Sequence, residues 1–243
     1  MTTVQSIEAI DFDPNGSAEE LVRRALERFH PRIAIATSLQ DAVLIHMAAR
    51  VRRDVRVFSI DTGRLPEEAY ACAEEVRERL GVLIEWHFPM RERLEKLATE
   101  KGVFSFREDV ANRLECCAIR KVEPLTRALA GLDAWITGQR RDESATRRGL
   151  ARVERDAAHG GILKINPLAD WTMEDVRAYL RAHRVPYNRL LDRGYTSIGC
   201  APCTRPTGPG EEPRAGRWWW EHSGRKECGL HSCNFRERVG SAT

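Results

Sequence analysis

Residues 33–41 read Ile-Ala-Ile-Ala-Thr-Ser-Leu-Gln-Asp, a short apolar run followed by hydroxyl-bearing residues. The run at residues 33–36 predicts a buried strand, and a helix is expected to follow the turn. A strand, a hydroxyl-bearing turn and a helix form an arrangement by which α/β proteins bind phosphate or a nucleotide. An ordinary helix cap by Thr37 or Ser38 explains the same residues and needs nothing else. The chain contains no Gly-x-x-x-x-Gly-Lys-Ser/Thr motif, so a conventional P-loop NTPase is not expected.

The same pattern of strand and helix recurs along the chain. Short apolar runs predict strands at residues 33–36, 55–60, 82–86, 134–137 and 162–165. Helices are expected between them, one starting at Pro66 and another capped by Thr172. Strands that alternate with helices form a doubly wound, mostly parallel α/β sheet of the Rossmann-like type. Such sheets bind ligands beyond the carboxyl ends of their strands, where residues 37–41 and 61–63 fall.

The composition indicates one large cytoplasmic domain. The chain has 243 residues, of which 42% are hydrophobic and 31% charged, with a net charge of +3. That charge is too small to argue for a nucleic-acid partner. Neither the apolar core of a signal peptide nor an apolar run near the ~18 residues of a membrane helix is found. We expect residues 1–205 to form a nucleotide-binding domain that includes the cysteine motifs. Residues 206–243, which begin rich in Pro and Gly, are expected to form a flexible C-terminal segment.

Four of the seven cysteines form a pattern typical of metal ligation. Cys200 and Cys203 are spaced Cys-x-x-Cys, and the adjacent pair Cys116 and Cys117 lies far upstream. Four thiolates match a [4Fe–4S] cluster or a zinc site with four cysteine ligands. Adjacent residues of a helix point about 100° apart, which suits a cluster with separate iron corners better than one tetrahedral ion. In a reducing compartment, ligation and catalysis are better interpretations of these cysteines than disulfides.

Cations follow both the cysteine pair and the fourth predicted strand. The pair is expected to open a helix, and Lys121, four residues after Cys117, would lie near the same face. A cation there can reach both a metal centre and an anion, although a solvated lysine explains it as well. Beyond the strand, Arg140, Arg141 and Arg147 suggest anion binding, because guanidinium groups match phosphate and sulfate oxygens. A solvated basic loop is the alternative.

One cysteine lies apart from the four candidate ligands. Cys228 sits in a polar stretch with Arg225, Lys226 and His231, where no packing demand explains a cysteine. Neighbouring cations favour a reactive thiolate. A reactive thiol on a mobile segment suggests an arm that closes on a substrate and opens to a second protein.

The order of these motifs resembles the assimilatory adenylyl-sulfate (APS) reductases, within the APS/PAPS reductase family of the adenine-nucleotide hydrolase-like fold. The resemblance extends from about Arg32 to His231. The matching stretches are residues 37–41, 61–63, 116–117 with Lys121, 138–141, 197–203 and 227–231. Many members of the family carry Ser-x-Ser-Gly where this chain has Ile-Ala-Thr-Ser at residues 35–38, so the glycine is missing here.

The resemblance implies a role for each group of residues. The ligands of a [4Fe–4S] cluster would be Cys116, Cys117, Cys200 and Cys203. The nucleoside would contact Phe58, Ile60, Thr62 and Gly138, and the substrate would also contact Thr37 and Ser38. The phosphosulfate would lie among Lys121, Arg147, Arg214, Arg217 and His231.

The resemblance also implies a reaction. Cys228 would be the nucleophile that displaces AMP and forms an S-sulfocysteine, which thioredoxin or another thiol donor such as glutathione resolves to release sulfite. The expected partners are therefore adenylyl sulfate and a thiol donor, with no nucleic acid and no membrane, and the family is compatible with a homo-oligomer. Cys233, two residues after His231, is not part of the motif and is expected to be incidental.

Three other functions compete with this interpretation. A PAPS reductase shares the fold and the nucleophile but typically lacks the four ligand cysteines. An ATP-dependent tRNA-thiolating enzyme needs a glycine-rich pyrophosphate loop, which residues 37–41 do not provide, and a more basic surface. A non-catalytic iron–sulfur or zinc regulator leaves Cys228 and the arginines unexplained.

Overall fold

A computed structural model of the chain describes residue 13 and residues 16–221 and 227–230. The strands are β1 Ile33–Thr37, β2 Val57–Ile60, β3 Ile84–His87, β4 Ala134–Thr137, β5 Val153–Asp156 and β6 Ile162–Ile165. The α-helices are α1 Ala18–Phe29, α2 Val43–Val51, α3 Glu67–Leu80, α4 Arg91–Lys101, α5 Val110–Cys117, α6 Glu123–Leu129 and α7 Met173–His183. None of these described helices is long and apolar enough to span a membrane. The strands form one sheet in the order β3-β2-β1-β4-β6-β5.

The centre of the sheet is parallel, as the alternation of strands and helices predicts. β1 pairs in parallel with β2 on one side and with β4 on the other. The path of the chain across the sheet reverses between these neighbours, and the carboxyl ends of the strands leave a crevice at such a point. The edge strand β5 is antiparallel to β6 and is not predicted by the sequence, because its residues Val-Glu-Arg-Asp contain no apolar run.

Alternate residues of the central strands supply the cores on the two faces of the sheet. Ile33 and Ile35 of β1 pack in the larger core with α1, α2 and α7. Ala34 packs in the core on the other face with α6. Ile136 and Trp135 of β4 are divided in the same way. Successive side chains of a strand point to opposite faces, so helices cover both faces and the predicted doubly wound fold is confirmed.

The cysteine pair ends a helix, and the prediction that it opens one is wrong. α5 begins after Asp109, whose side chain accepts a hydrogen bond from the backbone N–H of Asn112 at 2.7 Å. A side chain of this type fixes where a helix begins, and here it does so well before the cysteines. After Cys117, a π-helical turn at Ala118–Val122 leads into α6. Single π-helical turns within helices are frequent at functional sites.

The described part of the C-terminal segment packs against the domain. The backbone N–H of Arg205 donates to the carbonyl of Gly216, and that of Trp218 donates to the carbonyl of Cys203, both at 3.0 Å. Arg217 and Trp218 are buried. The Pro- and Gly-rich segment is therefore irregular, as expected, but it folds back over the Cys-x-x-Cys motif in this conformation.

Candidate active site

A cavity of about 220 Å³, here called the main cavity, opens beyond the carboxyl ends of β1, β2 and β4. Every predicted substrate residue within the described ranges lines it, namely Thr37, Ser38, Phe58, Ile60, Thr62, Lys121, Gly138, Arg147, Arg214 and Arg217. The remaining one, His231, lies outside the described residues. Cys228 lines the same cavity. Residues from both halves of the chain thus meet at the predicted edge of the sheet.

Part of the main cavity is apolar. Phe58, Ile60, Leu125 and Trp135 belong to one cluster of side chains, which Leu230 joins from the C-terminal segment. All five line the cavity. Ligand pockets commonly combine such an apolar wall with a few polar groups that fix orientation. This wall suits a flat, largely apolar group such as the base of a nucleoside.

The turn after β1 is not a helix cap. The N-cap residue of α2 is Ala42, which makes no side-chain capping bond, so the explanation of Thr37 or Ser38 as caps is wrong. The Thr37 hydroxyl instead accepts a hydrogen bond from the backbone N–H of Leu39 at 3.1 Å. Leu39 has a φ of 56°, in the left-handed region that non-glycine residues rarely adopt. The turn is therefore held in a specific shape at the entrance to α2.

Two side-chain hydrogen bonds join this turn to distant parts of the chain, one to the loop that carries the Cys-x-x-Cys motif and one to Asn188. The Gln40 side chain accepts from the backbone N–H of Ile198 at 3.0 Å, and the Asn188 amide donates to the Leu39 carbonyl at 3.2 Å. These partners are 158 and 149 residues apart in sequence. Local patterns do not predict pairings at such separations, so sequence reasoning misses Asn188 and includes Gln40 only as part of the matched stretch 37–41.

Another part of the lining is cationic and surrounds a tryptophan that sequence reasoning does not assign to the site. The charged groups of Lys121, Arg214 and Arg217 lie 5.8, 5.9 and 4.8 Å from the centre of a Trp218 ring. Trp218 is fully buried, and cations over a desolvated indole are attracted to its face. The signal for its role is the run of three tryptophans that directly follows an arginine in a polar segment.

Lys121 is buried, which excludes the alternative of a solvated helical lysine. Burial opposes its charge, but the nearby thiols, that of Cys200 foremost, raise the pKa of Lys121. Arg214 behaves differently, because burial and the neighbouring Arg147 lower its pKa to about 10. Both side chains therefore remain cationic near neutral pH.

The Arg217 guanidinium lies against the backbone of the Cys-x-x-Cys loop. A Cβ atom at Gly199 would approach its Nη2 atom to 2.2 Å, so a residue with a side chain there would displace it. Arg217 Nη1 also donates to the Ile198 carbonyl at 3.1 Å. The glycine of this motif is thus explained by the close approach of a cavity-lining cation.

Each of the three arginines after β4 is already paired with a carboxylate. The partners are Asp142 for Arg140, Asp170 for Arg141, and Glu143 and Glu227 for Arg147. Arg140 and Arg147 line the main cavity, but Arg141 does not. The expectation that all three face an anion site is therefore wrong for Arg141.

A second cavity of about 10 Å³, here called the thiol cavity, adjoins the main cavity. Its lining residues are Cys116, Cys117, Cys200, Cys203, Arg64, Phe106, Arg113, Arg120 and Lys121. All four cysteines are buried and form no disulfide. Cys200 and Lys121 line both cavities, so the thiols are adjacent to the predicted substrate site.

The surroundings of the thiol cavity fit an anionic centre held by thiolates. Among the described residues, Nη1 of Arg64 and Nε of Arg120 are buried donors without a hydrogen-bond partner. A buried donor without an acceptor is costly, and thiolate or sulfide sulfur would accept from both. In the described part of the chain, no three His, Cys, Asp or Glu side chains are grouped so as to hold a single metal ion.

The pKa values of three of these thiols shift in different directions. Burial raises the pKa of Cys117 to about 11 and that of Cys203 to about 12. Burial acts on Cys200 in the same direction, but Lys121 and the Thr62 hydroxyl, 3.2 Å from its Sγ, lower its pKa overall. Among these three thiols, the thiolate form is most favoured at Cys200, which lines both cavities.

Residues 30–206 match the family described as phosphoadenosine phosphosulfate reductase domain. The chain belongs to this family. It is 48% identical over 225 residues to the adenosine 5′-phosphosulfate reductase of Pseudomonas aeruginosa, covering 90% of this chain and 84% of that one. It is 50% identical over 204 residues to the reductase of the same name from Burkholderia cepacia, covering 83% and 81%. A crystal structure of the phosphoadenylyl-sulfate reductase of Candida auris superposes with a TM-score of 0.68 at 31% identity, covering 83% of this chain and 98% of that one. The predicted family and fold are confirmed.

Cys228 is buried in this member of the family. The sequence alone gives no reason to expect this position to be packed in a core. Cys228 packs with the four ligand-candidate thiols and Trp218. Arg225, Lys226 and His231, the cations expected around it, lie outside the described residues. Burial opposes the charge of Lys121, and the Cys228 thiol is among the described groups that raise the pKa of this lysine.

Two carboxylates of the site are also missed by sequence reasoning. Burial opposes the charge of Glu227, yet Arg214 and Arg147 lower its pKa. Burial likewise opposes the charge of Glu143, yet Arg147 and Arg140 lower its pKa. Both carboxylates are therefore ionised at neutral pH. The available signal for Glu227 is its position directly before Cys228 in the matched 227–231 motif.

Proposed function

We propose that this chain reduces adenylyl sulfate to sulfite and AMP in assimilatory sulfate reduction. One observation supports this most directly. The Cys228 thiol, the cations Lys121, Arg214 and Arg217, and the apolar wall all line the main cavity. Reduction of a nucleoside phosphosulfate needs all three features: a nucleophilic thiol, cations that hold the phosphosulfate, and an apolar wall for the base. The relatives from Pseudomonas and Burkholderia bear the name of this activity.

The reaction proceeds in two displacements at sulfur. The Cys228 thiolate attacks the sulfur of adenylyl sulfate, an S–S bond forms, and the bond from sulfur to the phosphate oxygen breaks. AMP leaves with the electron pair of that bond, and Lys121, Arg214 and Arg217 stabilise the developing charge. Each well-placed donor of this kind contributes roughly 3 kcal/mol.

The second displacement restores the enzyme. A thiol of thioredoxin, or of another donor such as glutathione, attacks the Cys228 sulfur, and sulfite leaves with the electron pair of the S–S bond. A second donor thiol then frees Cys228, so two thiols are oxidised to a disulfide while the sulfur of the substrate is reduced to sulfite. Reduced thiol donors are maintained in the cytoplasm, where we place the reaction.

The low exposure of Cys228 implies that the segment carrying it moves between the two displacements. The relative accessibility of Cys228 is 9%, too little for a protein thiol to reach it in this conformation. We infer that residues 1–205 form the nucleotide-binding domain and that residues 206–243 form a segment that closes for the first displacement and opens for the second. A homo-oligomer is compatible with this scheme, because the cavities are formed within one chain.

Cys116, Cys117, Cys200 and Cys203 would hold a [4Fe–4S] cluster in the thiol cavity. When bound, it supplies a polarisable negative charge beside Lys121, together with the capacity for one-electron chemistry. Arg64 and Arg120 would donate hydrogen bonds to its sulfur atoms. A zinc ion with four cysteine ligands is the alternative occupant.

The cluster is tested by metal analysis of anaerobically purified protein. We expect about four iron and four sulfide per chain and a brown colour, and Cys203→Ser should lose all three because one of four ligands is removed. The control is Cys72→Ser, since Cys72 is buried in α3 and lines neither cavity. One zinc per chain in an active, colourless protein would refute the cluster.

The proposed reaction is tested by sulfite release from adenylyl sulfate and from PAPS, with reduced thioredoxin as the donor. We expect kcat/KM to be at least roughly a hundredfold higher for adenylyl sulfate, the discrimination typical of a site that binds one of two related ligands. Equal turnover of both substrates would refute this preference, and turnover of PAPS alone would identify a PAPS reductase, the activity named for the Candida auris relative. Sulfite release from neither substrate would exclude both reductases.

A further inference from the structure

Glu227, the residue directly before Cys228, is bound by three side chains. Arg147 donates through Nε to Oε1 and through Nη2 to Oε2, both at 3.2 Å. Arg214 Nη2 donates to Oε2 at 3.1 Å, and the Thr146 hydroxyl donates to Oε1 at 3.3 Å. Paired hydrogen bonds between a guanidinium and a carboxylate fix orientation as well as distance. The carboxylate is thus held between two arginines of the main cavity.

The main chain of Glu227 is fixed by a separate contact. Arg113 Nη1 donates to its carbonyl oxygen at 2.8 Å. Arg113 is itself paired with Glu221 at 2.5 Å, and these two side chains are only 3% and 8% exposed. Its guanidinium also lies 4.6 Å from a Trp218 ring centre. The backbone of residue 227 is therefore attached to a rigid buried pair on α5 and the C-terminal segment.

We propose that Glu227 is a positioning residue, whose carboxylate clamps the C-terminal segment to Arg147 and Arg214 and thereby holds the Cys228 thiol in the main cavity. This inference rests on the proposed function, in which Cys228 is the nucleophile. A residue fixed through both its side chain and its carbonyl leaves the next residue little freedom, so the thiol is pre-oriented before substrate binds. Release of the clamp exposes the same thiol to the donor.

The resting clamp is tested by alkylation of the free enzyme with a maleimide. Glu227→Gln keeps the shape but removes the charge, and we expect Cys228 to be labelled roughly tenfold faster, because charge-assisted hydrogen bonds to two guanidiniums are weakened. Glu227→Asp keeps the charge and should restore slower labelling in part. Glu212→Gln, an exposed carboxylate of the same segment, should match wild type. Peptide mass spectrometry identifies the labelled residue, and urea denaturation confirms that each variant is folded.

The positioning role is tested by single-turnover formation of S-sulfocysteine from adenylyl sulfate without a donor. We expect Glu227→Gln to slow this step roughly tenfold at saturating adenylyl sulfate, where differences in affinity no longer affect the rate, since the lost contact orients the nucleophile. Labelling at the wild-type rate would refute the clamp. Faster labelling with unchanged adduct formation would refute the positioning role. If wild type forms no adduct, the proposed function fails, and the labelling rates still decide the clamp.

Discussion

Replacing Cys228 with serine is expected to abolish sulfite release from adenylyl sulfate while leaving the thiol cavity and substrate binding intact. A serine hydroxyl stays protonated at neutral pH, whereas a cysteine thiol is intrinsically far more acidic and its thiolate is a strong nucleophile. Removing the nucleophile of an enzyme that works through a covalent intermediate can cost on the order of 10⁶ in kcat. Lys121 and the arginines that line the main cavity are untouched by the change, so the Kd for adenylyl sulfate should remain close to that of wild type.

The intermediate itself provides the sharper measurement. Wild type mixed with adenylyl sulfate in the absence of a thiol donor should carry one added sulfonate on Cys228, detected by peptide mass spectrometry. Cys228→Ser should carry none. Cys72→Ser is the matched control, because Cys72 lies in α3 and lines neither cavity. An adduct on Cys72 or Cys233 in wild type would overturn the assignment of the nucleophile.

The sheet and the position of the main cavity could be predicted because both depend on local patterns. The apolar runs that form β1, β2 and β4 have the length and composition of buried parallel strands. Parallel strands bring their carboxyl ends to one edge, so the turns at Thr37 and Thr62 could be placed together before any distance was known. The edge strand β5 has no such run, since it needs only one neighbour and carries charged residues.

The electrostatics of the site could not be predicted, because they depend on contacts between distant parts of the chain. Helical spacing places Lys121 near Cys117 but does not show that Trp218 and the Cys-x-x-Cys loop bury it. The sequence predicts that Arg147 binds an anion. In the structure its guanidinium is paired with the carboxylate of Glu227, 80 residues away. The start of α5 could have been predicted from the sequence, because Asp109 is a typical N-cap residue and directly precedes Val110.

Replacing Lys121 with methionine is expected to lower kcat/KM for adenylyl sulfate by roughly a hundredfold, the usual cost of one charged contact to a developing anion. Methionine preserves much of the buried stem and removes only the charge. A solvated lysine on a helix would contribute little to stability, but Lys121 is buried. We therefore expect the free energy of unfolding to fall as well, because the variant removes the interaction of this buried cation with several buried thiols. Turnover kinetics and urea denaturation on the same samples measure the two effects.

Lys164 provides the control that separates the effect on turnover from the effect on stability. It is also a buried lysine, but it lies outside the site. It lies on β6, 5.9 Å from a Trp135 ring centre, and pairs with Glu154 at 2.9 Å, but it does not line the main cavity. Lys164→Met should therefore lower the free energy of unfolding by about 3 kcal/mol or more, because Glu154 loses its buried partner. Its kcat/KM per folded molecule should remain at the wild-type value. If Lys121→Met loses stability but keeps wild-type kcat/KM, Lys121 is a structural cation and does not stabilise the leaving phosphate.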